Sequence, residues 1–145
     1  MADDILTRVQ ADVRTAMKAG DRERAGALRM VVDALQQDAK LGKGDEIAVL
    51  QRERKKRLEA AEAFREGGRE ERAAAEESEA ELIELYLPDQ LSDEELGELV
   101  GAAVDEAGAS GPGEMGKVMS LVMPRVKGRA DGKRVSGAVR HRLDA

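Results

Sequence analysis

Cysteine and tryptophan are absent from this sequence of 145 residues, and histidine, phenylalanine and tyrosine occur once each. Without cysteine there can be no disulfide, thiolate nucleophile, zinc knuckle or iron–sulfur site. One histidine cannot form a His-rich metal site. We therefore expect neither a cofactor nor a bound metal.

Long apolar runs are also lacking. No stretch approaches the roughly 20 apolar residues that are needed to span a bilayer. The first residues, Met1 to Asp4, have neither the basic region nor the apolar run of a signal peptide. We therefore expect a cytoplasmic monomer with no membrane partner.

What the chain does contain is alanine and charge. Alanine accounts for 23 residues, and 37% of the chain is charged. Aliphatic side chains with almost no aromatics suit helices packed through alanine and leucine, because sheets favour aromatic and β-branched residues. The composition predicts an all-α protein with a thin core, built as one compact domain or two small ones.

The net charge of −6 hides an uneven distribution along the chain. Residues 116–145 carry eight Lys/Arg against two Asp/Glu, a balance of +6, so residues 1–115 carry −12. Residues 70–98 hold twelve acids, with Arg72 as their single base. The basic end and the acidic middle should therefore have different partners.

Four helices are predicted before Pro88, where the chain should divide. The first has one buried face and stops at Gly20; that face contains Ile5, Leu6, Val9, Val13 and Met17. The second begins at Asp21 and ends near Gly42-Lys43-Gly44, and its stripe is Leu28, Val31, Val32 and Leu35. The third ends at Gly67-Gly68, and its apolar positions are Ile47, Leu50, Leu58, Ala61 and Phe64. The fourth runs from Glu70 to about Leu87, with a largely solvated first half.

Three shorter helices are predicted after Pro88, which gives about seven in all. Ser92 and Glu95 form a capping box flanked by the hydrophobic staple Leu91 and Leu96, so a helix should begin at Asp93. Residues 108–113 read as a loop, residues 115–122 as a short helix with Met119 and Met123 in the core, and Asp131 as the cap of the last helix. The domains would be residues 1–88 and 89–145.

Two local motifs invite a functional interpretation that their context does not favour. Gly111 to Val118 nearly spells a phosphate-binding loop, but Val118 has no hydroxyl for Mg²⁺ and the segment follows a helix rather than a strand. The basic run Arg52 to Arg57 could be a nucleic-acid patch. Pairs at i, i+4, Glu53 with Arg57 and Lys55 with Glu59, favour a solvated helix face instead.

No catalytic constellation is visible. The acidic run of residues 76–84 has too few apolar neighbours for burial to shift its pKa values, so it should be a solvated anionic face. His141 should be exposed at a helix end, and no serine has a G-x-S-x-G context. The residues therefore predict no independent enzyme.

The basic end leaves two interpretations equally open. Lysine and arginine beside helix starts are natural phosphate contacts, and the absence of aromatics favours recognition of RNA backbone and shape over base stacking. Alternatively, this end docks on the acidic half or on an acidic partner. The set comprises Lys117, Arg125, Lys127, Arg129, Lys133, Arg134, Arg140 and Arg142.

Several blocks of this region closely resemble the YqeY family. They are Leu87-Pro88-Asp89-Gln90-Leu91-Ser92-Asp93-Glu94-Glu95-Leu96, Met115-Gly116-Lys117-Val118-Met119, Met123-Pro124 and Lys127-Gly128-Arg129-Ala130-Asp131-Gly132. That family consists of small helical proteins similar to the tail domain of GatB, a subunit of the glutamine-dependent aspartyl/glutamyl-tRNA amidotransferase. The resemblance implies a larger N-terminal helical part and a small C-terminal helical domain.

The resemblance also implies contact with tRNA without catalysis, because the tail of the amidotransferase touches the tRNA body while other domains and subunits perform the reaction. A carbon–nitrogen ligase activity with glutamine as amido-N-donor would be inherited by similarity only. The implied phosphate contacts are Lys117, Arg125, Lys127, Arg129 and Lys133. Gly116, Gly128 and Gly132 would permit turns or close approach, and Asp131 would cap the last helix.

Two alternative functions remain open beside tRNA binding. One is a protein-interaction adaptor that uses the acidic 70–98 face, and the other is an accessory factor in transamidation.

Overall fold

The computed structural model describes residues 4–42 and 44–144, and over these ranges every regular element is a helix. The all-α prediction is confirmed. Met1 to Asp3, which carry most of the expectation about a leader, and Lys43 at the predicted end of the second helix lie outside the described residues. The helices are α1 (Ile5–Lys18), α2 (Arg22–Lys40), α3 (Glu46–Glu66), α4 (Glu70–Glu84), α5 (Asp93–Ala107), a 3₁₀ helix (Pro112–Glu114), α6 (Met115–Arg125) and α7 (Gly132–Asp144).

The chain divides into two compact units, each with its own core. The N-terminal unit, residues 1–87, contains α1 to α4, and the C-terminal unit, residues 88–145, contains α5 to α7. No helix in the described ranges is both long and apolar enough to cross a membrane.

Aspartates begin the first three helices. The side chains of Asp4, Asp21 and Asp45 each accept a hydrogen bond from the backbone N–H three residues later, at 2.8, 3.1 and 3.1 Å. Such a cap satisfies one of the N–H groups that a helix start leaves without an internal partner. These caps place the starts of α1, α2 and α3 within one residue of an aspartate.

The core of the N-terminal unit joins α1, α2, the start of α3 and the end of α4. Its buried members are Val9, Val13, Leu28, Val31, Leu35, Val49, Leu50, Ile83 and Tyr86. Two apolar residues predicted to mark buried faces are instead exposed: Met17 by 54% and Leu58 by 36%. In α1 the small side chain of Ala16 takes the inward position, and Met17 points outward.

The outer part of the α3–α4 hairpin packs through small side chains and ion pairs. Ala61, Ala73 and Ala80 are buried at its interface, and so is Arg57, which is only 5% exposed. The Arg57 guanidinium contacts the carboxylates of Glu53 and Glu79, each at 3.2 Å. The pairing of Glu53 with Arg57 is confirmed, but the prediction that this residue is solvated is wrong.

Further ion pairs neutralise part of the acidic run on α4. Arg65 pairs with Glu77 and with Glu70, the latter at 2.8 Å, and the Arg54 Nε lies 3.8 Å from Glu84. The prediction of a fully solvated anionic face is therefore wrong for three of its acids. The reason is that α3 supplies arginines opposite them, 12 to 30 positions earlier in the sequence.

The end of α4 comes earlier than predicted. The helix ends at Glu84, and the N–H groups of Leu85, Tyr86 and Leu87 donate to carbonyls three residues back, as in a 3₁₀ turn. This tighter turn places Tyr86 in the core while it leaves Leu85 64% exposed.

The C-terminal unit has a core rich in valine, in which α5, α6 and α7 pack together. The capping box at its start is confirmed: Glu95 N–H donates to Ser92 Oγ at 3.1 Å, and Ser92 N–H donates to Glu95 Oε1 at 3.0 Å. Leu91 and Leu96 are both buried, as a hydrophobic staple requires. Met123, predicted in the core, is 36% exposed beside Pro124.

Candidate nucleic-acid interface

A clasp of hydrogen bonds joins the segment before α5 to the segment before α7. The Gln90 side-chain amide donates to the Gly128 carbonyl at 2.8 Å, and Leu91 N–H donates to the Arg129 carbonyl at 2.8 Å. In the opposite direction, Arg129 Nε donates to the Asp89 carbonyl at 3.1 Å. The two segments therefore hold each other through backbone groups as well as side chains.

Arg134 completes the clasp from the first turn of α7. Its guanidinium donates to the Leu91 carbonyl at 2.7 Å and to the Asp93 carboxylate at 2.9 Å. The blocks at residues 88–93 and 127–134 are therefore partners in one structural element. Arg129 is half-buried there, so part of its side chain is committed to the fold.

The remaining implied phosphate contacts are distributed over α6, the turn after it and α7. Lys117 is exposed in the first turn of α6, Lys127 is exposed in the turn, and Lys133 is exposed in the first turn of α7. Arg125, at the end of α6, forms an ion pair of 2.5 Å with Glu106 of α5. Two of the five cations, Arg125 and Arg129, thus have partners within the unit that reduce their availability to a ligand.

The turn and cap residues occupy different environments. Gly128 is buried with φ +76°, a left-handed conformation that a residue with a side chain rarely adopts. Gly116 is the second residue of α6 and Gly132 is the first of α7, so both are helical. Asp131 Oδ1 accepts a hydrogen bond from Arg134 N–H at 2.7 Å, as a cap of α7 does.

The solvent faces of α6 and α7 combine cations with glycines. On α7, Lys133, Gly137 and Arg140 are exposed at spacings of four and three residues, which places them on one face. On α6, Gly116 and Lys117 are exposed in adjacent positions. A Cβ at either helix glycine would meet no atom within 4 Å, so the fold itself does not require glycine there.

Arg140 belongs to the basic set of the sequence but not to the five implied contacts, although its i+7 spacing from Lys133 could have shown that the two share a face. Arg142 behaves differently. Its guanidinium lies 3.1 to 3.3 Å from the position that a Cβ of Gly101 would occupy, so it packs over the backbone of α5.

Electrostatics within the unit favour a defined α5 start. Hydrogen bonds from the backbone N–H and the hydroxyl of Ser92 lower the pKa of the Glu95 carboxyl below its ordinary value of 4.5, and the nearby charge of Arg129 acts in the same direction. Negative charge at this position also suits the positive end of the helix dipole.

The other sequence motifs do not form a site. Glu114 accepts hydrogen bonds from the N–H of Ser110 at 3.2 Å and from its hydroxyl at 3.3 Å, so the loop that resembles a phosphate-binding motif holds a carboxylate of its own. His141 is exposed on α7. In the part of the chain that the structure describes, no three acidic or histidine side chains converge as metal ligands.

Comparisons with known proteins agree with this architecture. A family model described as Yqey-like protein matches residues 6–143. A subunit of the glutamyl-tRNA(Gln) amidotransferase from Thermococcus gammatolerans is 38% identical to the chain over 88 residues. The alignment covers 58% of this chain but 14% of that relative, so the chain spans only a small part of its length.

Proposed function

Because this chain belongs to the YqeY family, we propose that it is a non-catalytic, cytoplasmic module that contacts the phosphate backbone of tRNA through the outer faces of α6 and α7. The similarity to a subunit of a tRNA amidotransferase supports tRNA as the ligand class. The small share of that subunit represented in this chain supports a binding role without the reaction.

The observation that carries the proposal is the set of unpaired cations on these faces. Lys117, Lys133 and Arg140 make no ion pair within 4.0 Å among the described residues. Lys117 and Lys133 also stand in the first turns of their helices, where open backbone N–H groups and the helix dipole favour a phosphate. Glycines beside them leave room for a close approach of the RNA backbone.

Recognition should depend on backbone and shape. The two aromatic residues of the chain, Phe64 and Tyr86, both lie in the N-terminal unit, so the C-terminal unit has no ring on which a base could stack. Lysine and arginine contacts to phosphates instead give binding that falls steeply with salt.

Titration of fluorescently labelled tRNA with the full chain over a salt series tests the proposal. The triple variant Lys117→Ala, Lys133→Ala and Arg140→Ala should weaken binding by at least about tenfold and reduce the salt slope by about 2 to 3. The matched control removes three exposed cations of the other unit: Lys55→Ala, Lys56→Ala and Arg69→Ala. Absence of binding at low salt, or an equal loss in the control, would contradict the proposal.

The adaptor alternative has less support because three acids of the 70–98 face already have arginine partners on α3. Exposed Glu81 and Glu94 remain available. A protein captured by the chain and lost on Glu81→Lys and Glu94→Lys, with RNA removed by nuclease, would favour this alternative. A change of rate on adding the chain to an amidotransferase assay would favour the accessory role.

A further inference from the structure

An open groove runs between α1 and α2 on the side of the hairpin away from Tyr86. It has a volume of about 390 Å³ and is lined by Gln10, Val13, Arg14, Arg29, Val32 and Asp33. Val13 and the half-buried Val32 give it an apolar floor. At one end Arg29 Nη2 approaches the Met17 sulfur at 3.0 Å, and that methionine is 54% exposed.

The cations around this groove have no acidic partner. Arg14 on one wall, with Arg29 and Arg22 on the other, makes no ion pair within 4.0 Å among the residues that the structure describes. Arg22, Arg29 and Asp33 share one face of α2 at helical spacing. One acid, Asp33, lies in the groove itself, so three exposed arginines face a single carboxylate.

Gly26 lies on the same face of α2, between Arg22 and Arg29. It is exposed, its conformation is helical, and a Cβ there would meet no atom within 4 Å. Glycine in a helix interior is unfavourable relative to alanine, and the fold of this chain does not require it. A missing side chain at such a position does allow the backbone of another helix to approach closely.

We propose that the α1–α2 groove docks an acidic, amphipathic helix of a protein partner. The apolar floor and the exposed methionines Met17 and Met30 would receive the partner's leucine-type side chains, because methionine adapts to varied shapes. Arg14 and Arg29, on opposite walls, would pair with acids that flank its apolar stripe. Gly26 would set the closest approach of the two helices.

The apolar content of the surface favours a protein helix over RNA. Binding of an RNA backbone needs cations but gains little from exposed methionines over a valine floor. The proposal concerns the N-terminal unit and does not depend on tRNA binding by the C-terminal unit.

The probe is a stapled helical peptide of about 20 residues with a leucine stripe bordered by glutamates, and its partner control has lysine in place of every glutamate. Fluorescence anisotropy with the full chain should show saturable binding of the acidic peptide and none of the basic one. Gly26→Leu, and separately Arg14→Glu with Arg29→Glu, should each weaken binding about tenfold or more. Arg69→Glu, an exposed charge reversal outside the groove, should leave binding unchanged.

Far-UV circular dichroism establishes that each variant keeps its helix content, and leucine at position 26 should favour the helix. Equal binding of both peptides, or equal affinity of the groove variants and Arg69→Glu, overturns the proposal. It is also overturned if sedimentation shows a dimer that Gly26→Leu dissociates, which would assign the groove to a second copy. A tRNA affinity that falls in the groove variants as much as peptide affinity would assign it to RNA.

Discussion

The N-terminal unit joins the outer parts of its long helices with ion pairs, whereas the C-terminal unit joins shorter helices with valine packing and hydrogen bonds to backbone carbonyls. In the first, Arg57 and Arg65 of α3 reach across to carboxylates of α4. In the second, Arg129 and Arg134 hold peptide carbonyls of the segment before α5. The buried valines of the C-terminal unit are Val100, Val104, Val118, Val122, Val126, Val135 and Val139.

The difference shows why formal charge is a poor guide to available charge. Arginines of α3 are largely consumed inside their own hairpin, although their sequence run resembles a nucleic-acid patch. The C-terminal unit uses backbone carbonyls as acceptors for Arg129 and Arg134 and leaves Lys117, Lys133 and Arg140 exposed. The candidate partner surfaces are therefore the α6 and α7 faces and the α1–α2 groove.

The largest stability effect should come from removing the buried cation of the N-terminal unit. Arg57→Ala would leave Glu53 and Glu79 without their shared partner, and loss of one member of a buried ion pair costs about 3 kcal/mol. Urea unfolding followed by circular dichroism measures the change. Lys55→Ala, on the same helix but exposed, should change the free energy of unfolding by less than about 0.5 kcal/mol. Equal effects of the two variants would show that the hairpin does not depend on this ion pair.

A smaller effect is expected at Tyr86. Its hydroxyl donates to the Asp12 carboxylate, and Tyr86→Phe should cost about 1.5 kcal/mol, as for a hydrogen bond to a charged group. Burial, followed by the bond to Asp12, raises the pKa of Tyr86 above its ordinary value of 10.0. The folded state therefore favours the protonated phenol, so this stabilisation is complete below pH 10 and is lost as the pH rises towards the raised folded pKa.

Ultraviolet absorbance can follow this ionisation alone, because Tyr86 is the only tyrosine and the chain has no tryptophan. The midpoint in native protein should lie above 10.0 and should return to about 10.0 in urea. A native midpoint at the ordinary value would contradict the buried hydrogen bond.

In the C-terminal unit, Ser92→Ala should cost about 1 kcal/mol, the usual effect of losing an N-cap. The lowered pKa of Glu95 adds a pH dependence: its stabilisation is present above pH 4.5 and is lost as the pH falls through the lower folded pKa. Thermal melts from pH 7 to pH 3 test this, and Glu95→Gln should flatten that part of the profile. An unchanged profile would mean that the capping box does not couple to stability.

The smallest predicted effect has the opposite sign. Gly26→Ala in one unit and Gly137→Ala in the other should each stabilise the protein by about 0.5–1 kcal/mol, because each helix loses a glycine and the new Cβ meets open space. Gly101→Ala provides a contrast, since its Cβ would contact the Arg142 guanidinium at 3.1 to 3.3 Å and should gain less. Melting temperatures of the three variants compare them directly.

Local chemistry in the sequence predicts much of this fold. Asp21 and the Ser92–Glu95 box define helix starts through bonds that span only three residues, and both predictions agree with the structure. The inward position of Ala16 and the outward position of Met17 could not be obtained in the same way. Hydrophobicity alone favours methionine, and the choice depends on how closely α2 packs against α1.

The partners of the arginines were also beyond reach of local pattern. Arg57 pairs with an acid 22 residues away, and Arg129 donates to a carbonyl 40 residues away. Sequence spacing shows which residues share a helix face, as for Lys133 and Arg140, but not which helix covers that face. For this reason the basic end could be recognised as a whole, while its division into structural and exposed cations required the fold.

The ion-paired α3–α4 hairpin gives the N-terminal unit a distinctive response to heat. Removing charged groups from water becomes less unfavourable as temperature rises, whereas stabilisation by apolar burial approaches a plateau. Warming should therefore weaken the contacts around Arg57 and Arg65 less than it weakens the valine core of α5 to α7. The two units would then separate in a calorimetric scan, with the outer hairpin retaining its helices to a higher temperature than its alanine-rich interface alone would allow.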